Sequence, residues 1–217
     1  MGWRSIARGK TVMNATPALV QNYLLFFILP LWIAAGFVDY LSHRRTDISH
    51  TSGAKEAFLH LLMVVEVGIP LLMALIFEIN ALVLAVMLVA LVVHEATGVW
   101  DLVYAHRSER EVRPIEQHAH SFLEVLPLMA VSFVVFLHWA DFLGLLGLGS
   151  GRRDFSLEFK ADYWGTWYAV ALLGAAFLFA VLPFAEELWR CLRQRDRARA
   201  EQEPPVTVAR AAPYSPE

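Results

Sequence analysis

The chain has 217 residues, of which 57% are apolar and 18% charged, and its formal net charge is −3 at pH 7. A soluble domain of this length would be nearer half apolar and richer in charge, and the balance of charges gives no basic surface for nucleic acid. The single cysteine, Cys191, excludes an internal disulfide framework. With a mean hydropathy of +0.47, these features indicate an integral membrane protein.

Five apolar runs are long enough to cross the hydrocarbon core of a bilayer as helices. They cover roughly 18–38, 57–77, 80–101, 118–140 and 163–187. Spans two and three are separated only by Phe77-Glu78-Ile79-Asn80, which predicts a tight helical hairpin. Backbone groups in lipid must be paired within the segment, and the ten-residue alternation typical of a β-barrel is not seen. The sequence therefore predicts an all-α integral membrane protein with about five transmembrane helices.

Composition divides the chain into three parts. Residues 1–17 form a polar lead-in expected at the membrane surface, and 18–190 form the transmembrane domain. From 191 to 217 the chain is basic, then Pro-rich and polar, which predicts a disordered tail. The fifth span has no histidine, and its only acids, Glu186 and Glu187, stand at its end. We therefore expect the fifth span to be scaffold or lipid-facing packing.

Spans one to four carry an internal repeat of ionisable residues, with halves at about 36–70 and 98–127. The matched pairs are Gly36/Gly98, Asp39/Asp101, His43/His106, Glu56/Glu116, His60/His120, Glu66/Glu124 and Pro70/Pro127. Ionisable side chains at the edge of a bilayer are expensive, so their duplication indicates a site with two similar halves. The repeat predicts that spans one to four form a four-helix bundle from two duplicated helical hairpins.

The alternation of the spans brings the repeated residues to one membrane face. Spans one and three end there, and spans two and four begin there. The loops on that face and the tail carry more arginine and lysine than the other side. By the positive-inside rule this face and the C-terminus are expected in the cytoplasm, with the protein in a bacterial inner or plasma membrane.

Residues four apart share a helix face, so Asp39/His43, Glu56/His60 and Glu116/His120 can each converge on one ion. Glu66, His94 and Glu124 lie one to two turns deeper, and Glu66 and Glu124 are the candidate catalytic acids. His118 is either a further ligand or only a neighbour, and the whole set could instead form interhelical hydrogen bonds. The candidate metal ligands are Asp39, His43, Glu56, His60, Glu66, His94, Asp101, His106, Glu116, His118, His120 and Glu124.

Imidazole and carboxylate ligands without a thiolate cluster suit iron or manganese and permit zinc or copper. Two ions are expected, with iron favoured. The mixed ligand pattern over residues 36–127 resembles that of membrane-bound di-iron oxygenases and desaturases. Their HxxxH and HxxHH clusters do not occur in this chain, so no residue role is transferred from them.

The resemblance implies a dioxygen-dependent hydroxylation, desaturation or other oxidation of a lipid-like substrate, served by an electron-donor protein. A zinc-dependent membrane lipid hydrolase is an alternative, although it needs fewer carboxylates. A b-type haem electron-transfer protein is another, with two of His60, His94 and His120 as axial ligands. A metal or proton transporter would need polar residues through the whole bilayer, which spans one and five lack.

Overall fold

The computed structural model describes residues 16–108, 112–148, 153–161 and 166–202. In this part of the chain the only strand-like pairing is an isolated bridge between Phe77 and Phe159. The helices are α1 (Thr16–Arg45), α2 (Ala54–Ile76), α3 (Ala81–Arg107), α4 (Pro114–Leu137), the short α5 (Trp139–Leu145) and α6 (Trp167–Gln202). Five of them, all but α5, are long and apolar enough to cross a membrane, which confirms the five predicted spans.

The helices carry apolar side chains on the outside and ionisable side chains on the inside. Val89, Val92 and Phe136 are more than 60% exposed, whereas Asp39 and Asp101 are buried. A protein folded in water would have the opposite distribution. Lipid therefore suits the outer surface, and the buried acids must find partners inside the bundle.

The closest helix packing joins α2 to α3 and α1 to α4, and α6 lies against α2. The turn between α2 and α3 is closed by Asn80, whose side-chain oxygen accepts hydrogen bonds from the backbone N–H groups of Leu82 and Val83. An asparagine N-cap of this kind satisfies donors that a helix start leaves unpaired. The tight hairpin predicted between spans two and three is confirmed.

Prolines explain two wide turns in the long helices. A π-helical turn spans Leu24–Ile28 just before Pro30, and another spans Phe177–Val181 just before Pro183. Proline clashes with the carbonyl four residues earlier and cannot donate a backbone hydrogen bond, which favours a local π turn. The hydroxyl of Tyr168 donates to the carbonyl of Leu25, a group for which Pro30 has no N–H to offer. This contact ties α6 to α1.

The helix α6 runs well past the end predicted for the fifth span. The disordered tail predicted from residue 191 is wrong as far as Gln202, because this segment continues as helix. Its Arg, Leu, Gln and Ala residues are good helix formers, and no Gly or Pro interrupts them before Pro204. Cys191 is also buried against Ile48 and Ala57, which anchors the extension to the bundle. Residues 203–217 of the predicted tail and 1–15 of the lead-in lie outside the described residues.

Candidate metal centre

The ends of α1 and α3 and the starts of α2 and α4 meet inside the bundle, as the alternation of spans predicts. Two groups of side chains converge there, each with one ligand atom per residue within 4.8 Å of the others. The first group is Asp39, His43, Glu116 and His120, and the second is Glu56, His60 and Asp101. Each group could hold a metal ion.

The first group is built by α1 and α4. The Nε2 atom of His43 lies 3.5 Å from Asp39 Oδ2 and 3.4 Å from Glu116 Oε1. The Nε2 atom of His120 lies 3.4 Å from the other oxygen of Asp39. These distances place two imidazole nitrogens and two carboxylates around one point between the helices.

The second group is built by α2 and α3. The Nε2 atom of His60 lies 3.3 Å from Asp101 Oδ2 and 4.0 Å from Glu56 Oε1. Its imidazole stacks on that of His43, with ring centroids 4.3 Å apart and planes 13° from parallel. The two groups are therefore neighbours, joined by a pair of stacked histidines.

Glu187 of α6 fixes both of these histidines. Its Oε2 lies 3.1 Å from His43 Nδ1, and its Oε1 lies 2.9 Å from His60 Nδ1. An ionised carboxylate can only accept hydrogen bonds, so each Nδ1 carries the proton that it donates. In the neutral imidazole the lone pair then sits on Nε2, the atom that faces the carboxylates in both groups.

A lone pair directed at carboxylate oxygens is repulsive unless a cation lies between them. His43 Nε2, Asp39 Oδ1 and Asp101 Oδ1 are buried and make no hydrogen bond within the described part of the chain. Buried polar atoms are expected to have partners, so such a cluster needs an explanation. Either protons or metal ions can compensate it, and the orientation set by Glu187 is the one that metal-bound histidines commonly show.

The expectation that the fifth span is only scaffold is wrong at Glu187. Consecutive helical residues point about 100° apart, so the adjacent acids Glu186 and Glu187 cannot both face the same way. Glu186 faces outward to Arg44 and Arg190, and Glu187 is fully buried among the histidines. The doubled acid within an apolar run was the signal in the sequence that could have indicated an inward-facing carboxylate.

The deeper predicted ligands form a separate polar group. The hydroxyl of Thr97 donates to Glu66 Oε1 at 2.8 Å, and Glu66 Oε2 lies 3.7 Å from His94 Nδ1. Glu66 and His94 belong to neither group of converging ligands among the described residues. Glu66 is six residues from His60, which corresponds to about 9 Å along an α-helix. The structure therefore leaves Glu66 and His94 outside the metal centre.

The remaining predicted ligands lie further from the cluster. Glu124 is half-buried and lines a small cavity beside the cluster, together with Glu95. His106 and His118 are exposed, and His118 contacts Phe122 edge-on. The structure does not bring these two histidines to the centre.

Two cavities continue from the centre into the bundle. The smaller, about 40 Å³, is lined by Asp39, His60, His120 and His94 among others. The larger, about 150 Å³, begins at Glu66 and His94 and runs between α1, α2, α3 and α4 to Lys160. His94 lines both, so the polar group of Glu66 and His94 separates the metal centre from a long apolar space.

At the far end of the larger cavity, His138 lies 3.5 Å from Asp141, and Lys160 donates to the carbonyl of Ala74 at 2.6 Å. Burial lowers the pKa of His138 and the pKa of Lys160 below their ordinary values. This end of the cavity is therefore closed by polar groups that already have partners.

Comparison with known proteins gives no relative: no protein-family model matches the sequence, and no curated protein or solved structure is significantly similar to it. The function is therefore argued from the site alone.

Proposed function

We propose that the chain is a membrane-embedded oxidoreductase with a dinuclear metal centre, most consistent with iron. The observation that carries the proposal is the pair of histidines held by Glu187. Both imidazoles donate through Nδ1 to one carboxylate, which leaves both Nε2 atoms facing buried acids. A carboxylate that accepts from the outer nitrogen of a ligating histidine fixes its tautomer and raises its basicity.

The two ligand groups are proposed to be the two halves of the sequence repeat, assembled in a four-helix bundle by α1 to α4. Asp39 and Asp101 are separated by 62 residues, and His60 and His120 by 60. The packing of α1 on α4 and of α2 on α3 supports this, since the repeat would exchange one pair for the other. The halves are not identical, because the position 62 residues after His43 is Ala105.

Iron fits the donor set best. Carboxylates and imidazoles together, without thiolate or thioether, are the ligands of di-iron centres in helical bundles. A b-type haem fits poorly, because the closely stacked imidazoles of His43 and His60 leave no room for a porphyrin between them. A zinc hydrolase would need only about three protein ligands and one open position.

The proposed reaction is the oxidation of a lipid-like substrate. In a hydroxylation, a C–H bond, one dioxygen, two electrons and two protons give a C–OH bond and one water. The bound metals would supply the redox chemistry with dioxygen. The chain's carboxylates would hold the metals and carry protons, and an electron-donor protein would supply the electrons.

Residues at the small cavity are placed for the proton transfers. Glu124 and Glu95 line it beside His120 and Asp39, and its volume of about 40 Å³ accommodates roughly two or three water molecules. A carboxylate in such a position can deliver a proton through water to the reacting oxygen. Glu124 thus keeps a proposed catalytic role without being a metal ligand.

The test is lipid oxidation by the purified full-length protein in vesicles of phosphatidylethanolamine and phosphatidylglycerol. The protein is loaded with ferrous iron or with zinc, supplied with a chemical reductant and exposed to air. We expect lipid products that are 16 mass units heavier or 2 lighter, formed only by the iron-loaded protein. Hydrolysed lipid in the zinc-loaded sample would instead favour the hydrolase, and an absence of products from every sample would count against both.

Phe58→Leu is the matched control, because Phe58 is 53% exposed on the outside of α2. Glu116→Gln should abolish the products, because it removes a carboxylate charge from the first ligand group, whereas Phe58→Leu should retain them.

A further inference from the structure

The larger cavity has an apolar wall and one polar end. Its lining from Leu24 and Leu71 to Val131 and Val134 is apolar, and its inner end is formed by Glu66 and His94. Ligand sites in proteins are usually apolar cavities with a few convergent polar groups that fix orientation. This cavity has that form, and it is distinct from the groups that hold the proposed metals.

Unpaired polar atoms mark the inner end as the place where a ligand's polar group binds. Glu66 is 9% exposed and His94 is 5% exposed. Glu66 Oε2 and His94 Nδ1 make no hydrogen bond within the described residues, although they lie only 3.7 Å apart. Pro70 also lacks the N–H that would pair the Glu66 carbonyl in a regular helix, so a further acceptor lies at this level.

The outer end of the cavity is a poorer place for a head group. Lys160 already donates to the carbonyl of Ala74, and His138 faces Asp141. The inner end lies near the middle of α2 and α3, where a charged head would be costly to bring in from the interface. An uncharged head that both donates and accepts hydrogen bonds meets less of this cost.

We propose that Glu66 and His94 bind the uncharged, hydroxyl-bearing head of a single-chain amphiphile whose apolar tail occupies the larger cavity. From Glu66 to the end of α2 is about 15 Å of helix, which sets the scale of the tail. The head then faces the metal centre through the small cavity, which His94 also lines. Binding stands independently of the proposed function, whereas a role for the ligand as the oxidised substrate rests on it.

The test is photo-crosslinking of the full-length protein in detergent with a dodecanol that carries a diazirine near the end of its chain. The control probe is the corresponding diazirine alkane, which has the same tail and no head. We expect the alcohol to label peptides of α2, α3 and α4 at least tenfold more than the alkane, in metal-free and metal-loaded protein alike. Equal labelling by the two probes would overturn the proposal.

Two variants make the test specific. Ala90→Phe fills the cavity and should abolish labelling, whereas Val89→Phe adds the same bulk on the lipid-facing surface, where Val89 is 64% exposed, and should retain it. Glu66→Leu removes the acceptor and should reduce the preference for the alcohol over the alkane to about one. Undiminished labelling of a folded Ala90→Phe protein, or an unchanged preference in Glu66→Leu, would contradict the site.

Competition with unlabelled dodecanol and with a decyl-substituted quinol distinguishes the two sources of such a head. Because the probes are applied without metal, a failure of labelling overturns this site and leaves the metal centre untouched. Conversely, labelling in a protein that binds no metal would retain the site and overturn the proposed oxidoreductase.

Discussion

Replacing Glu187 by glutamine tests how the stacked histidines are held. The wild-type carboxylate accepts one N–H from His43 and one from His60. The glutamine amide has one acceptor oxygen, and its NH₂ group cannot accept, so one imidazole loses its partner. Loss of such an outer contact typically weakens metal binding by about 10–100-fold, or roughly 1.4–2.7 kcal/mol.

Glu186→Gln is the matched control. Glu186 is the adjacent residue on the same helix, and it contacts Arg44, Arg190 and Tyr40 rather than the histidines. The substitution removes the same charge at nearly the same depth. We expect it to change metal affinity by less than about threefold, since its side chain is partly exposed and its ion pairs are worth little.

The assay is an anaerobic titration of metal-free protein with ferrous iron against a chelator of known affinity. Circular dichroism and thermal melts confirm that both variants are folded. The reasoning is refuted if Glu187→Gln binds iron within twofold of the wild type. It is also refuted if Glu186→Gln weakens binding as much as Glu187→Gln, because the effect would then come from charge alone.

Three further predictions concern the ligands and the topology. His60→Ala should lower the metal content to about one ion per chain, whereas His118→Ala, at an exposed histidine, should leave it unchanged; elemental analysis of the two variants decides this. Because imidazole must be deprotonated to bind a metal and its ordinary pKa is about 6.5, dialysis at about pH 5 should release metal that is retained at about pH 7.5, and retention at the lower pH would count against histidine ligands. A reporter fused after Glu217 should be active in the cytoplasm, and activity of a periplasmic reporter there would reverse the proposed orientation.

Much of the fold follows from the lengths of the apolar runs. Five runs of about 20 residues and a four-residue connection specify five spans and one tight hairpin, because lipid admits few other backbone arrangements. The meeting of Asp39, His60, Asp101 and His120 follows from the alternating direction of the spans. Packing at this level depends on topology more than on particular side-chain shapes.

The errors at the site have geometric causes. His106 was matched to His43, but Asp39 and Asp101 define a spacing of 62 residues, and a shift by one residue turns a side chain by about 100°. His106 therefore points outward while Ala105 is buried. Glu66 was placed with the ligands because both belong to the bundle interior, yet axial distance along α2 separates it from His60.

Glu187 could not be assigned from spacing at all. It lies about 130 residues from His60, and its contact depends on how α6 packs across α2. The proline-associated π turn at Phe177–Val181 adds a residue to the preceding helical turn and so changes which face of α6 points inward. Such a shift is invisible to an analysis that assumes a regular helix.

The central claim is that the buried histidines and carboxylates hold two metal ions. It is tested most directly by the ratio of metal to protein in the full-length chain, purified in detergent, loaded anaerobically with ferrous iron and freed of unbound metal. The account predicts about two iron ions per chain, falling to about one in Asp101→Asn, which removes a charge from the second group only. A loaded wild-type protein that retains less than about 0.2 ions per chain would show that the cluster is compensated by protons, and the proposed metal centre would be wrong.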